Sequence, residues 1–226
     1  MQTLVHTPSI KLEESIIYYK SLGYEQVNPS KPILSDGKFL IEINPNKHAR
    51  VGIKIIKESW QAEIEQLNTE KFEIENGYLI RDNNGVWIYL IEDKDLKIDI
   101  IPNQKESYLG KFMGISIETT SFEKSIDFWS KLGFVQVSGA IEQGWVVIAN
   151  ADGFAISFML PLSCPHSFTN PSMTFFNGGN NLENIAKIKE AAIPIKEEIT
   201  AFNKEGIVDN VIIQDPGEYA MFIFND

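Results

Sequence analysis

The chain is short of the side chains that most often carry chemistry. It has one cysteine, Cys164, and three histidines, His6, His48 and His166. A single thiol cannot close an internal disulfide, so a disulfide scaffold is excluded and a cytoplasmic setting is expected. Long apolar runs are missing as well. No stretch approaches the roughly 18 unbroken apolar residues of a membrane span. The first residues, MQTLVHTPSIKLEES, have neither a basic nor an apolar segment, so no secretion signal is expected. Basic residues are the minority. The net charge is −11, and the short basic runs are broken by acids, which excludes nucleic acid and anionic membrane as main partners. What is present is ordinary globular material. Hydrophobic residues make up 43% of 226, enough for a buried core and too much for a disordered chain. The expected partners are a small organic molecule, a second copy of the chain or another protein.

The chain repeats itself. ESIIYYKSLGYEQVN (14–28) aligns without a gap to KSIDFWSKLGFVQVS (124–138), with identical residues at Ser15/Ser125, Ile16/Ile126, Leu22/Leu132, Gly23/Gly133, Gln26/Gln136 and Val27/Val137. Positions 18/128, 19/129 and 24/134 are aromatic in both copies. The pairs Asp36-Gly37 and Asp152-Gly153 each sit between apolar runs, a hairpin signal. YLIRDNNGVWIYLIED (78–93) resembles VIIQDPGEYAMFIFND (211–226). Two similar halves follow, at 1–102 and 108–226. Each opens with a strand and a helix that ends at Gly23 or Gly133, where a left-handed residue closes the last turn. Strands come next, and then the pattern restarts. Strand, helix and further strands therefore occur four times, an α+β organisation with a pseudo-twofold repeat. The spacing predicts helices over 12–22, 60–68, 122–132 and 182–192, with Thr120 or Ser121 capping the third.

SIIYYKSLGY and SIDFWSKLGF are similar to the "S-x-x-FY-x-x-LGF" helix end of the vicinal oxygen chelate superfamily. RDNNGVWIYLIE and QDPGEYAMFIF resemble its closing "DPDG-x-x-x-E-L" hairpin. That superfamily includes glyoxalase I, bleomycin-resistance proteins, extradiol dioxygenases and fosfomycin-resistance enzymes. The resemblance implies four βαβββ modules, paired into two curved, half-barrel mixed sheets that each enclose a cup. The eight residues from Glu42 to Arg50 reach at most about 28 Å, so the modules can pair within one chain or between chains. A monomer or a loose homodimer is expected.

In enzymes with this fold the cup holds one divalent metal, on His, Gln or Glu side chains from the first and last strands of each module. Carried over to this chain, the positions fall on Leu4, Glu42, Arg50 and Tyr89 in the first half. In the second half they fall on Gly114, Ser157, a residue within Ser172–Thr174, and Met221 or Phe222. Only Glu42 is a usual ligand. Leucine cannot ligate, and arginine keeps its proton and repels a cation. A catalytic metal needs about three protein ligands and an open position. His6 stands two residues beyond Leu4, on the same strand face, and can converge with Glu42. Glu42 and Arg50 are expected to meet, as a structural ion pair or as a polar clamp for a ligand.

His48 and His166 lie in Asn- and Pro-containing linkers and are expected to be exposed. Cys164, two residues from His166, has no visible oxyanion turn or orienting acid beside it. Asp82 and Asp215 open tight turns. GNN within NGGNNLEN lacks the phosphate-loop pattern and reads as a turn into an Asn-capped helix. Most of Trp87, Tyr89, Trp129, Trp145, Phe158, Phe175, Phe176 and Phe222 are expected to be core, with a minority at cup positions that would make the second cavity apolar. The expected function is binding of a small organic molecule without a cofactor, in the manner of the bleomycin-resistance branch. His6, Glu42, Arg50, Tyr89, Trp129, Ser157 and Phe222 are the cup candidates. A lyase or dioxygenase with displaced metal ligands, and a non-catalytic protein-interaction scaffold, are the alternatives.

Overall fold

The computed structural model describes residues 1–95, 97–100 and 107–225. The expected half boundary at 102, and most of the connection from 102 to 108, lie outside them. The first half forms β1 (Gln2–Pro8), α1 (Leu12–Ser21), β2 (Glu25–Gln26), β3 (Ile33–Ser35), β4 (Leu40–Asn44), β5 (Gly52–Lys57), α2 (Gln61–Gln66), β6 (Lys71–Ile74), β7 (Gly77–Arg81) and β8 (Trp87–Glu92). The second half repeats the series as β9 (Lys111–Glu118), α3 (Phe122–Ser130), β10 (Val135–Ala140), β11 (Trp145–Ala149), β12 (Ala155–Met159), β13 (Ser172–Phe176), α4 (Asn181–Glu190), β14 (Ile195–Ile199), β15 (Asn210–Gln214) and β16 (Ala220–Phe224).

Each half makes one eight-stranded mixed sheet, in the orders β2-β3-β4-β1-β5-β8-β7-β6 and β10-β11-β12-β9-β13-β16-β15-β14. The parallel neighbours, β1 with β4 and β5 with β8, need a crossover, and α1 and α2 supply it. Antiparallel pairing of β1 with β5 joins consecutive modules within one chain. The sequence pattern reveals neither β6 nor β14. Both are short outer strands, KFEI and IKEEI, whose charged and largely exposed residues leave too little apolar material to stand out. Charge on an outer strand blocks edge-to-edge association, and this hides the strand in the sequence.

Strand alternation sorts the side chains. Val5 on β1, and Met221 and Ile223 on β16, point into one large core shared by both halves. There Phe39 stacks on Phe112 at 3.7 Å, with Phe154 and Phe175 around them. Leu4, His6, Phe222 and Phe224 point the other way, into the cups.

Two buried aspartates lock the halves together. Asp215, between β15 and β16, takes the turn amides of Gly217 and Tyr219 on Oδ1 at 2.9 and 2.7 Å. Its Oδ2 accepts from the first half, from Thr7 at 2.6 Å and from the Tyr19 hydroxyl at 2.7 Å. Asp82, between β7 and β8, accepts on Oδ1 from the amides of Asn84 and Val86. Its Oδ2 accepts the indole N–H of Trp129, from α3 of the second half, at 3.2 Å. The turn role expected of both aspartates is therefore half of their work. Burial pushes both carboxyls upward from the usual range, and these hydrogen bonds oppose the shift. The turn at Gly217 lies so close that a Cβ there would sit 2.0 Å from the Pro8 carbonyl oxygen.

The helix starts are tied in the same paired way. Ser15 bonds Ser9 at 2.7 Å and Ser125 bonds Thr119 at 2.9 Å, which accounts for the repeated serine. Ser121 caps α3, accepting from the Lys124 amide. The Asn180 side chain makes no cap bond on α4; buried Asn181 instead donates to the Asp209 and Ile223 carbonyls.

Removing Asp215 leaves Thr7, Tyr19 and two turn amides without their acceptor. Asp215→Ala is expected to cost about 3 kcal/mol or more, and Tyr19→Phe about 1–3 kcal/mol, in urea unfolding. A loss below about 0.5 kcal/mol for Asp215→Ala, the range of ordinary surface changes, would refute the lock.

Candidate functional site

The two cups share a topology and differ in content. In the first, His6 is fully buried beneath the Tyr89 ring, with centroids 3.9 Å apart. Its Nδ1 lies 3.0 Å from the Arg50 carbonyl oxygen, so Nδ1 donates. Nε2 then accepts from the Asn44 amide at 3.0 Å. Burial, helped by the Lys54 charge, pushes His6 down to about 3, so the ring is neutral. Glu42 approaches His6 Nε2 at 4.0 Å, but its ion-pair partner is Lys54.

Arg50 does not meet Glu42. Its guanidinium turns back to the His48 and Ala49 carbonyls, and only its backbone reaches the cup, the carbonyl accepting from His6 and the amide donating to the Tyr89 hydroxyl at 2.8 Å. Both functions expected of the Glu42–Arg50 pair are thereby corrected. Lys54 lies on β5 in register with Leu4 and Tyr89, so its side chain projects from the sheet, whereas Arg50 precedes the strand. The rest of the cup is filled. Leu4, Ile33, Leu40 and Ile56 pack with Ile91, Ile98 and Ile100. The Gln2 amide straps this cover down through both backbone groups of Ile98, at 2.7 and 3.0 Å.

The second cup is hollow. Side chains from β9 to β16 surround a cavity of about 640 Å³. Its walls include Phe168, Phe222, Phe224, Trp145, Met113 and Met159. Its floor carries Ser116, Ser157 and Thr174, with Ser116 and Thr174 bonded to each other at 2.7 Å. The segment between β12 and β13 closes one side. It is held by Leu162 N–H to Glu118 at 3.0 Å and Ser167 N–H to Glu197 at 3.1 Å. Within that segment His166 is not exposed as expected but half-buried, its ring 5.0 Å from Phe222 and 5.3 Å from Phe224. Cys164 points to Met159, 3.5 Å away, and burial pushes its thiol up. His166 Nδ1 lies against the Ser167 carbonyl, so no Cys–His pair forms.

No family model matches the sequence, and no curated protein matches it. Solved structures do. Homoprotocatechuate 2,3-dioxygenase from Brevibacterium fuscum superimposes with a TM-score of 0.62 at 11% identity, over 99% of this chain and 70% of its own. The Arthrobacter globiformis homoprotocatechuate 2,3-dioxygenase gives 0.62 at 11%, over 99% and 78%. A 2,2′,3-trihydroxybiphenyl 1,2-dioxygenase from Sphingomonas wittichii strain RW1 gives 0.53 at 12%, over 100% and 89%. These likenesses show the fold alone, over nearly the whole of this chain. The chain has the vicinal oxygen chelate fold.

The metal positions of that fold can now be read in register. In the first cup Leu4, Lys54 and Tyr89 form one row across the sheet, with Glu42 diagonal to it. In the second, Gly114, Thr174 and Phe222 form the matching row, with Ser157 beside Ser116. Phe222, not Met221, faces the cavity, because Met221 belongs to the shared core. The residues do not fit a divalent cation. The one carboxylate is already paired with an ammonium group. No side chain can stand at Gly114, where φ is +113° and a Cβ would lie 2.2 Å from the Ala155 carbonyl oxygen. Among the described residues no three His, Cys, Asp or Glu side chains converge as a metal site.

Of the other cup candidates, Ser157 and Phe222 line the second cavity. Trp129 lies in neither cup; it is fully buried and bonded to Asp82, because a helix residue packs on the convex side of its sheet. Sequence reading missed Lys54 and Ser116, and narrowed the third position of the second cup only to Ser172–Thr174, where Thr174 is the residue that faces the cavity. The signal for Lys54 is the alternation of GIKIIK, which places Lys54 on the cup face with Gly52 and Ile56, and Lys57 on the other. Among the described residues no helix is long and apolar enough to cross a membrane.

Neutral His6 has a pH signature. Its pKa falls from 6.5 unfolded to about 3 folded, so between these values the unfolded chain binds a proton that the folded chain excludes. This contribution to stability is full above pH 6.5 and shrinks as pH falls towards 3. At pH 5 the loss is about 2 kcal/mol. His6→Gln should flatten the stability profile between pH 7 and pH 5. An unchanged slope would show that His6 titrates normally.

Proposed function

We propose that the protein binds a small organic molecule in its second cup, independently of any metal. The observation that carries this reading is the contrast between the cups: the first is packed with its own side chains, whereas the second encloses about 640 Å³ behind mainly apolar walls. Ligand sites are concave, mostly apolar and of roughly 300–1,000 Å³, with a few convergent polar groups. A somewhat larger cleft of about 730 Å³ lies where the halves meet. Its rim carries Lys38, Lys57, Lys94, Lys97, Glu58 and Asp93, and such a mixed-charge surface favours water over an organic guest.

Sequestration in the manner of a bleomycin-resistance protein suits this site better than dioxygenase or lyase chemistry. The solved dioxygenases support the fold alone. An ion-paired carboxylate in one cup and a hydroxyl floor in the other supply no ligand set on which such chemistry could run. A protein-interaction scaffold with both cups filled suits the first half and not the second. The single cysteine is consistent with a cytoplasmic setting.

Nile red, a neutral flat dye, tests the reading. Chelator-treated protein should bind it saturably at one site with a rise in fluorescence. Ser157→Trp, which places an indole inside the cup, should weaken binding at least tenfold while the far-ultraviolet spectrum stays unchanged. Binding that vanishes on chelation, or that ignores Ser157→Trp, would overturn the proposal.

A further inference from the structure

The second cup has a chemical selectivity written into its lining. Resting on the reading that this cup binds a ligand, we infer that its guest is a flat molecule carrying no net charge, apolar over most of its surface, with one hydrogen-bonding group directed at Ser116, Thr174 and Ser157. Three observations meet here.

The first is the absence of charge. No Asp, Glu, Lys or Arg lines the cavity, although these residues make up 23% of the chain. Glu118 and Glu197 are not among the lining residues; their carboxylates accept the backbone amides of Leu162 and Ser167. Cys164 and His166 are the only ionisable side chains on the lining. A charged guest would lose its water and find no counter-charge. The net charge of −11 draws cations towards the surface, but that field is screened over about a nanometre in salt and does not offset desolvation inside the cup.

The second observation is the shape of the walls. Phe168 and Phe222 meet edge to face at 5.1 Å, as do His166 and Phe222 at 5.0 Å, and Phe222 and Phe224 at 5.7 Å. Side chains in such a cluster offer ring faces and edges to a planar guest. Trp145 and Phe202, 43% and 57% exposed, stand at the mouth, where they can cover a guest that has entered.

The third is an unspent hydrogen-bonding capacity on the floor. A hydroxyl has one donor and two acceptor sites. The Ser116–Thr174 bond consumes one donor of two and leaves the other hydrogen available. Ser157, opposite Ser116 in register, makes no side-chain hydrogen bond among the described residues. Gly114 stands opposite Thr174 and has no side chain to cover it. The floor thus offers both donors and acceptors to a neutral polar group such as an amide or an alcohol, in the very row that another protein of this fold could use for a metal.

A matched series of probes tests the assignment: naphthalene, 2-naphthamide, 2-naphthoate and 2-naphthylmethylammonium, titrated by calorimetry or by displacement of Nile red. The amide should bind at least tenfold tighter than either ion. Ser116→Ala with Thr174→Val should weaken the amide about fivefold and leave naphthalene unchanged. Either ion binding as tightly as the amide, or an amide affinity indifferent to the loss of both hydroxyls, overturns the inference while Nile red binding preserves the cup as a ligand site. Failure of Nile red and the whole series to bind removes both. The comparison among probes uses the unaltered protein, so it stands even if a floor variant folds poorly.

Discussion

Two carboxylates buried between the halves constrain everything else in this molecule. A carboxylate taken out of water is tolerated only where donors surround it, and each donor must then stay in place. Asp215 gathers Thr7 and Tyr19 from one half and two turn amides from the other. Asp82 gathers Trp129 in the reciprocal direction. The halves cannot slide or rotate without leaving one of these charges short of donors. The two sheets therefore keep a fixed relation, and their convex faces with α1 and α3 are committed to the shared core. Only the concave faces remain for function.

Both concave faces began with the same architecture, and side-chain identity alone decides what each contains. In the first, an ammonium group from Lys54 lies against Glu42 where a cation-binding member of the fold would hold its ion. The positive charge thus belongs to the protein itself, and it helps keep His6 neutral. Isoleucines from the strands and from the covering segment fill the remaining space. In the second, Gly114, Ser116, Ser157 and Thr174 are too small to fill the floor, and large aromatic residues stand at the walls instead of over it. Small residues beneath and rings around leave a hollow. Fold does not settle function here; the residues on one face of one sheet do.

Most of the fold could be read in the sequence because it is written twice. The repeated Ser-Ile and Leu-Gly positions fix both the start and the end of α1 and α3, and the aromatic pair at 19/129 marks the donors of the two aspartate locks. What escaped the reading did so for physical reasons. β6 and β14 are short, and carry the charges that protect an outer strand, so each has only two apolar residues by which to be recognised. Counting along the chain lands on Arg50 because it ignores the step between a loop and the strand it enters, and Lys54 stands on that strand. Trp129 looks like a cup residue in a linear motif, whereas a helix can present it only to the convex side. A residue's partner across a half boundary, such as Asp215 for Tyr19, is 196 positions away and leaves no local trace.

The contrast between surface and cavity carries the final step. Acidic residues outnumber basic ones by enough to give −11 overall, yet the hollow cup contains none of either sign. If charge were spread without regard to site, a lining of this size in such a chain would include several acids. Glu118 and Glu197, which are not among the lining residues, hold the covering segment by its backbone, and so belong to the cup's construction while its lining carries no acid. A cavity that is apolar merely because it is buried would close by packing, as the first cup does. Under the proposed reading, a guest would supply the contacts that a cavity left open in this way, with unspent hydroxyls on its floor, does not make for itself.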